Sequence, residues 1–331
     1  MGIHSYIHGL PKGTVGGKVM GKTAFLFAGQ GAQYIGMGKE FYEQFPICKQ
    51  VFEEASESLH LDLKKLCFFG EKEDLDRTEN TQPAVVTMSI AAYQALSQYE
   101  IKPDVVAGLS LGEYSALTVS NVFTLSQVVT LVSKRGRFMQ EAVPAGIGKM
   151  AAVLGLSAEK VREACEESKA FGIVEPANFN CPGQIVIGGE IRAVDEAARI
   201  AKDKGAMKVI DLTVSAPFHT SMLKPAAEKL KLELEQITLG EMKIPVISNV
   251  NAKYINNTDE IKGLLYNQVM SSVQWEQTIR NMIIDGVTNF IEIGPGRTLS
   301  GFVKKIDRGL SIYNVENLAS LEATVSAMKA I

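Results

Sequence analysis

The chain of 331 residues is longer than one hydrophobic core usually spans, which predicts a large domain carrying a smaller one. A hydrophobic fraction of 46%, a charged fraction of 21% and a net charge of −3 exclude a disordered chain, a collagen-like repeat and a coiled coil. With 34 basic residues against 37 acidic ones, nothing electrostatic points to nucleic acid or an anionic membrane surface as partner.

Residues 1–20 hold no apolar run long enough for a signal peptide and read as a flexible arm, with Met20 suited to be the natural start. No later stretch approaches the ~20 apolar residues that a membrane span needs, so the expected compartment is the cytoplasm. Cys48, Cys67, Cys165 and Cys181 form no C-x-x-C pair and no cluster with metal-ligand spacing; reduced thiols and no metal are expected. Gly16 to Thr23 matches G-x-x-x-x-G-K-[ST], the pattern of a phosphate-binding loop. A P-loop follows a strand and opens a helix, whereas this one precedes the first good strand, Thr23–Phe27, so nucleotide binding is not expected.

After that strand, Ala28 to Gln33 forms a glycine-spaced turn, and helical patterning runs from about Met37 to Leu59. Glu79 to Pro83 reads as a loop and Ala84 to Tyr99 as a long helix. Asp104 to Gly108 is a short apolar strand, Leu109 to Gly112 a tight turn, and Glu113 to Leu117 the opening of a helix. From Met150 to Val214 the order is strand, helix, strand, strand, helix, strand, the pattern of a ferredoxin-like unit. The large domain resumes near Ser215 with a helix over Leu223–Gln236 and strands at Ile244–Ser248 and Asn289–Ile293. The expected class is α/β: an α/β-hydrolase-like domain with a mostly parallel sheet over 21–147 and 215–331, interrupted by a ferredoxin-like unit at 148–214.

Gly108-Leu109-Ser110-Leu111-Gly112 is G-x-S-x-G between a strand and a helix, the context of a nucleophile elbow. A serine on such a turn projects its hydroxyl clear of the sheet, and the flanking glycines leave room where a β-carbon would collide. The free N–H of Leu111, at a helix N-terminus, suits a developing oxyanion. An isolated pentapeptide can equally be an ordinary serine in a Gly-rich turn. Of the four histidines, His4 and His8 lie in the arm and His60 follows an exposed-looking helix, which leaves His219 as the base for a serine enzyme.

Residues 108–117, GLSLGEYSAL, closely resemble the elbow of malonyl-CoA:acyl carrier protein transacylases. The loop Phe27–Gln33 resembles the same family's first motif, and Ala216-Pro217-Phe218-His219 its histidine motif. The resemblance runs from about Lys22 to the C-terminus, and it implies transfer of a malonyl group from malonyl-CoA to the thiol of an acyl carrier protein through an ester on Ser110, in fatty-acid synthesis. It makes His219 the general base and acid, the backbone N–H of Gln30 a partner of Leu111 in the oxyanion hole, and Arg135 the holder of the malonyl carboxylate. Gln268 resembles the residue whose backbone carbonyl orients the histidine. No metal or redox cofactor is implied.

A guanidinium fork suits Arg135 to that task, since malonyl and acetyl thioesters differ by one carboxylate; Arg137, two residues on, would face elsewhere on a helix. Leu109 stands where the family usually has histidine, which bears on substrate choice and on whether the chain serves fatty-acid or polyketide synthesis. Phe218 resembles acyltransferases that take malonyl over its α-methyl homologue. The rival readings are a trans-acting polyketide acyltransferase of the same chemistry, a serine thioesterase or hydrolase, and a non-catalytic acyl-binding module. Because an acyl carrier protein is typically acidic, Lys304, Lys305 and Arg308 are candidates for a docking patch.

Overall fold

The structure, a computed structural model, describes residues 21–144, 146–214 and 216–330. The expected arm, with His4, His8 and most of the P-loop-like stretch, lies outside them. What is described of that stretch agrees with the reading against a P-loop, because Lys22 and Thr23 open a strand.

Among the described residues there are eight strands: β1 (Lys22–Phe27), β2 (Val105–Gly108), β3 (Gly148–Leu154), β4 (Val174–Cys181), β5 (Gln184–Glu190), β6 (Lys208–Asp211), β7 (Val287–Ile293) and β8 (Ser311–Val315). They make two sheets, ordered β2-β1-β7-β8 and β4-β5-β3-β6. The first is parallel throughout and the second antiparallel.

Strand alternation explains why the parallel sheet is apolar on both sides. Phe25, Phe27, Ile291 and Ile293 face one apolar cluster, shared with the Thr78–Ser97 and Leu125–Ala142 helices. Ala24, Leu26 and Phe290 face another, shared with the Trp275–Ile284 and Thr298–Ile306 helices. The antiparallel sheet has a core of its own, where Ala151, Val153, Ile185 and Ile187 pack on the Ala158–Glu167 and Ile191–Asp203 helices. Its other face turns Met150, Ala152 and Val186 toward the large cluster.

Some elements depart from the expected ones. The Met37–Leu59 segment is two helices, Lys39–Gln44 and Pro46–Leu59, parted at Phe45, which is extended (φ −116°, ψ 118°). The residue before a proline is pushed out of the helical region. Glu79 to Pro83 is helical: the Thr78–Ser97 helix carries Pro83 inside it, and burial of Thr81, Gln82 and Pro83 outweighs the lost backbone bond. Ile244–Ser248 meets the sheet only briefly, Val106 donating its N–H to Pro245 O and accepting from Ile247 N. Proline has no N–H for a longer ladder and sits here at the sheet edge.

Candidate active site

Parallel pairing of β1 with β2 sets Phe27 beside Gly108, so the loops after both strands open at one edge of the sheet. The chain runs from β1 to β2 on one side and from β7 to β8 on the other. A cleft is expected at that switch in direction. One of about 920 Å³ opens there, lined by Gln30, Ser110, Arg135, His219 and Glu292 from the large sheet's side and by Met150, Asn178 and Val186 from the antiparallel sheet.

The elbow is as tight as the glycine spacing requires. A β-carbon on Gly108 would lie 1.9 Å from the Gly112 carbonyl carbon, and one on Gly112 would lie 2.1 Å from Phe27 O. Between them Ser110 takes φ 52°, a left-handed conformation that serine rarely adopts. Asn249 pins it from outside, accepting the Ser110 N–H on Oδ1 at 2.6 Å and donating Nδ2 to Gly108 O at 2.7 Å. Leu109 packs on the apolar cluster behind β1 and β2 and also lines the cleft.

Ser110 Oγ lies 2.7 Å from His219 Nε2, and His219 Nδ1 lies 2.8 Å from the carbonyl oxygen of Gln268. A carbonyl can only accept, so Nδ1 carries the proton and Nε2 is left to receive one from the serine. Burial and the Arg135 charge push the imidazolium form down, to a pKa of about 4, so the ring stays neutral near pH 7. That is the state a general base requires.

Arg135 sits on the buried stripe Val128, Val132, Arg135, Phe138, Met139 of the Leu125–Ala142 helix and is 1% exposed. Its Nη1 donates to Gln82 Oε1 at 2.8 Å and its Nη2 to Gln268 Oε1 at 3.0 Å, with Ser110 Oγ at 3.4 Å. The guanidinium also lies 5.2 Å from the centre of the Tyr114 ring. Arg137 behaves as its spacing predicts: its side chain is 53% exposed and pairs with Glu141.

Ser110, His219, Arg135 and Gln268 are thus joined by direct contacts. Gln30 stands at the cleft with its Oε1 3.4 Å from Gln82 Nε2, and Leu111 is buried beside the serine. Among the described residues neither the Gln30 nor the Leu111 N–H donates to a backbone acceptor. Lys304, Lys305 and Arg308 lie at the far end of the Thr298–Ile306 helix and are exposed; Lys305 reaches Gln184 at 3.0 Å. His60 is exposed, as expected, and the four cysteines are free and buried.

Sequence reasoning missed Gln82, Glu113 and Asn249. Gln82 was hidden by reading its segment as a loop. Asn249 directly follows an apolar run that ends at the sheet's C-terminal edge, a position where ligand-binding residues gather. Glu113 had a usable signal, being a lone carboxylate in a helix opening otherwise made of buried residues. Among the described residues no helix is long and apolar enough to cross a membrane, and no group of three or more His, Cys, Asp or Glu side chains is placed to hold a metal ion.

Comparison with known proteins gives the family of the chain. The family model described as an acyl transferase domain matches residues 24–321. The malonyl CoA-acyl carrier protein transacylase of Bacillus subtilis strain 168 is 47% identical over 311 residues, covering 94% of this chain and 98% of the relative. The crystal structure of malonyl CoA-acyl carrier protein transacylase from Clostridium perfringens superposes with a TM-score of 0.91 at 50% identity, covering 93% of this chain and 98% of that one. A further structure, of a type II PKS acyl-carrier protein in complex with its malonyl-transacylase, matches with a TM-score of 0.90 at 40% identity over 92% of this chain and 99% of that one. The chain belongs to the acyl transferase family.

Proposed function

We propose that the chain transfers a malonyl group from malonyl-CoA to the phosphopantetheine thiol of an acyl carrier protein, in fatty-acid synthesis, by way of a malonyl ester on Ser110. The observation that carries this reading is the buried Arg135 guanidinium 3.4 Å from Ser110 Oγ, a fixed cation where an acyl chain ending in a carboxylate would reach.

Ser110 Oγ attacks the thioester carbonyl as His219 Nε2 takes its proton. The oxyanion is received by the N–H groups of Gln30 and Leu111. Collapse breaks the C–S bond, and the imidazolium returns the proton to the departing CoA thiolate. The carrier's thiol then attacks the ester, giving its proton to His219, and the Ser110 oxygen leaves with that proton. The Gln268 carbonyl holds the ring throughout, where a serine hydrolase would usually use a carboxylate. No step calls for a metal or redox cofactor.

The antiparallel sheet's strand order and its separate core support a ferredoxin-like unit at 148–214, inserted in an α/β-hydrolase-like domain of 21–147 and 215–331. Malonyl-CoA and the carrier protein are the partners, and four buried free thiols favour the cytoplasm. A second reading is a polyketide acyltransferase of the same chemistry, favoured by the similar solved structure of a type II PKS acyl-carrier protein in complex with its malonyl-transacylase.

Intact-protein mass spectrometry after incubation with malonyl-CoA tests the reading. One malonyl group should add to the wild type and none to Ser110→Ala, and the label should leave on addition of a carrier-protein thiol. Label on Ser110→Ala, or rapid loss to water without a thiol, would overturn it, the latter in favour of a hydrolase.

A further inference from the structure

Glu113 takes no part in the steps above, yet it is fully buried beside the elbow. Its Oε2 accepts from Gln268 Nε2 at 2.7 Å and from the Asn249 N–H at 3.2 Å. Those two residues clamp the Ser110 peptide. Asn249 Oδ1 takes its N–H at 2.6 Å, and Gln268 Nε2 donates to its carbonyl at 2.9 Å. Ser110 needs the clamps, because a serine at φ 52° persists only where its surroundings hold it there.

The same oxygen decides how the Gln268 amide points. With Nε2 committed to Glu113 and to the Ser110 carbonyl, Oε1 must face Arg135 Nη2, 3.0 Å away. Turned over, the amide would present two donors to a guanidinium that can only donate. One acceptor atom therefore fixes both sides of the nucleophile's backbone and the seat of the arginine.

We propose that Glu113 is a positioning residue for Ser110 and Arg135, acting as the shared acceptor that orients Gln268 and Asn249. The inference deepens the acyl-transfer reading and rests on it. Burial pushes the Glu113 acid up to about 7, against the pull of its N–H donors. The role calls for an acceptor oxygen and not for the charge, since a neutral carboxyl or carboxamide oxygen in that place receives the same two N–H groups.

Three variants separate positioning from folding: Glu113→Gln keeps an acceptor oxygen, Glu113→Asp withdraws it by one methylene, and Glu113→Met removes it at similar length. The readouts are kcat per site titrated with malonyl-CoA, and the malonyl-CoA to acetyl-CoA ratio of kcat/KM. A purely structural residue would lower the number of titratable sites and leave both unchanged. Glu113→Gln should stay within about threefold of wild type per site. Glu113→Met should lose at least about tenfold in kcat per site, with a lowered malonyl preference, and Glu113→Asp should fall between them.

Adding Glu113→Met to Gln268→Met should cost less than the product of the single effects, because Gln268 is one of the two residues through which Glu113 acts. Wild-type kcat per site in Glu113→Met would overturn the proposal, as would the same result in Glu113→Asp should the methionine variant not fold. So would a Glu113→Gln loss as large as that of Glu113→Met. A wild type that takes no label sinks the acyl-transfer reading itself, whereas a labelled wild type with indifferent variants sinks only the role of Glu113.

Discussion

Arg135 Nη2 stands 3.4 Å from Ser110 Oγ, and the same hydroxyl lies 2.7 Å from His219 Nε2. A cation and a base thus converge on one oxygen from separate elements, the guanidinium buried and held by two glutamine side chains. Burying that charge is costly, and Tyr114, Gln82 and Gln268 offset part of the cost. On the proposed reading, the malonyl carboxylate would offset the rest.

Replacing Arg135 with alanine should therefore act on substrate choice. A charge-assisted hydrogen bond to a carboxylate contributes roughly 1.5–3 kcal/mol, so kcat/KM for malonyl-CoA should drop by about 10- to 150-fold. Acetyl-CoA, without the carboxylate, should lose far less. Arg135→Lys should recover only part, since an ammonium cannot make the fork. Arg137→Ala, at an exposed ion pair, should stay within about twofold. Steady-state rates with both thioesters measure this, and equal losses on the two would remove Arg135 from carboxylate recognition.

On the proposed mechanism, the depressed basicity of His219 should set the acid limb of the reaction. Its conjugate acid is pushed down to about 4, by burial first and by the Arg135 charge second. The rate of Ser110 acylation at malonyl-CoA well below saturation, which follows the free protein, should stay flat through the pH range where a free histidine titrates, and fall only near pH 4. Stability carries the matching sign. The unfolded histidine binds a proton near its ordinary value of 6.5 and the folded one does not, so this contribution is complete above 6.5 and is lost as pH falls toward about 4. Single-turnover acylation across pH checks the first statement; a limb centred at 6.5 would contradict it.

Asn249 should matter as much as a residue of the elbow itself. Asn249→Ala strands the Ser110 N–H and Gly108 O at a buried turn, each left group costing about 1–3 kcal/mol. The melting temperature should fall clearly, and kcat per folded site should fall too, because Ser110 loses one hold on its strained φ. Thermal denaturation with active-site titration separates the two effects. An alanine variant with wild-type kcat per site would confine Asn249 to stability.

The sequence exposed much of what depends on local pattern, though not the break before Pro46. The G-x-S-x-G spacing announced an elbow, because the two glycines that a β-carbon would block are its sequence signature. Helical periodicity set Arg135 and Arg137 on different faces, and the family resemblance picked Arg135 as the one at the site. What stayed hidden are contacts between distant segments: Gln82 with Arg135, 53 positions apart, and Asn249 with Ser110, 139 apart. No local pattern reports these, since their geometry exists only once β1, β2 and the edge segment at Val246 are side by side. The Pro83 helix failed for a related reason: local propensity argued for a loop, and tertiary burial decided otherwise.

Phe218 is placed where it should limit the size of the acyl group. The ring is 8% exposed, directly precedes His219, and lines the cleft with Met139, Met150, Val186 and Leu212. An α-methyl group on the malonyl chain would have to fit among these side chains, and one methyl in an apolar site is commonly worth about 1–3 kcal/mol. Malonyl-CoA should therefore be preferred over methylmalonyl-CoA by roughly 10- to 200-fold in kcat/KM. Phe218→Ala should narrow that ratio mainly by raising the rate with methylmalonyl-CoA, since the vacated ring volume opens toward the cleft. Competition between the two thioesters for Ser110, read by intact mass, measures the ratio directly. Equal labelling of the wild type by both would mean that Phe218 does not set the size limit.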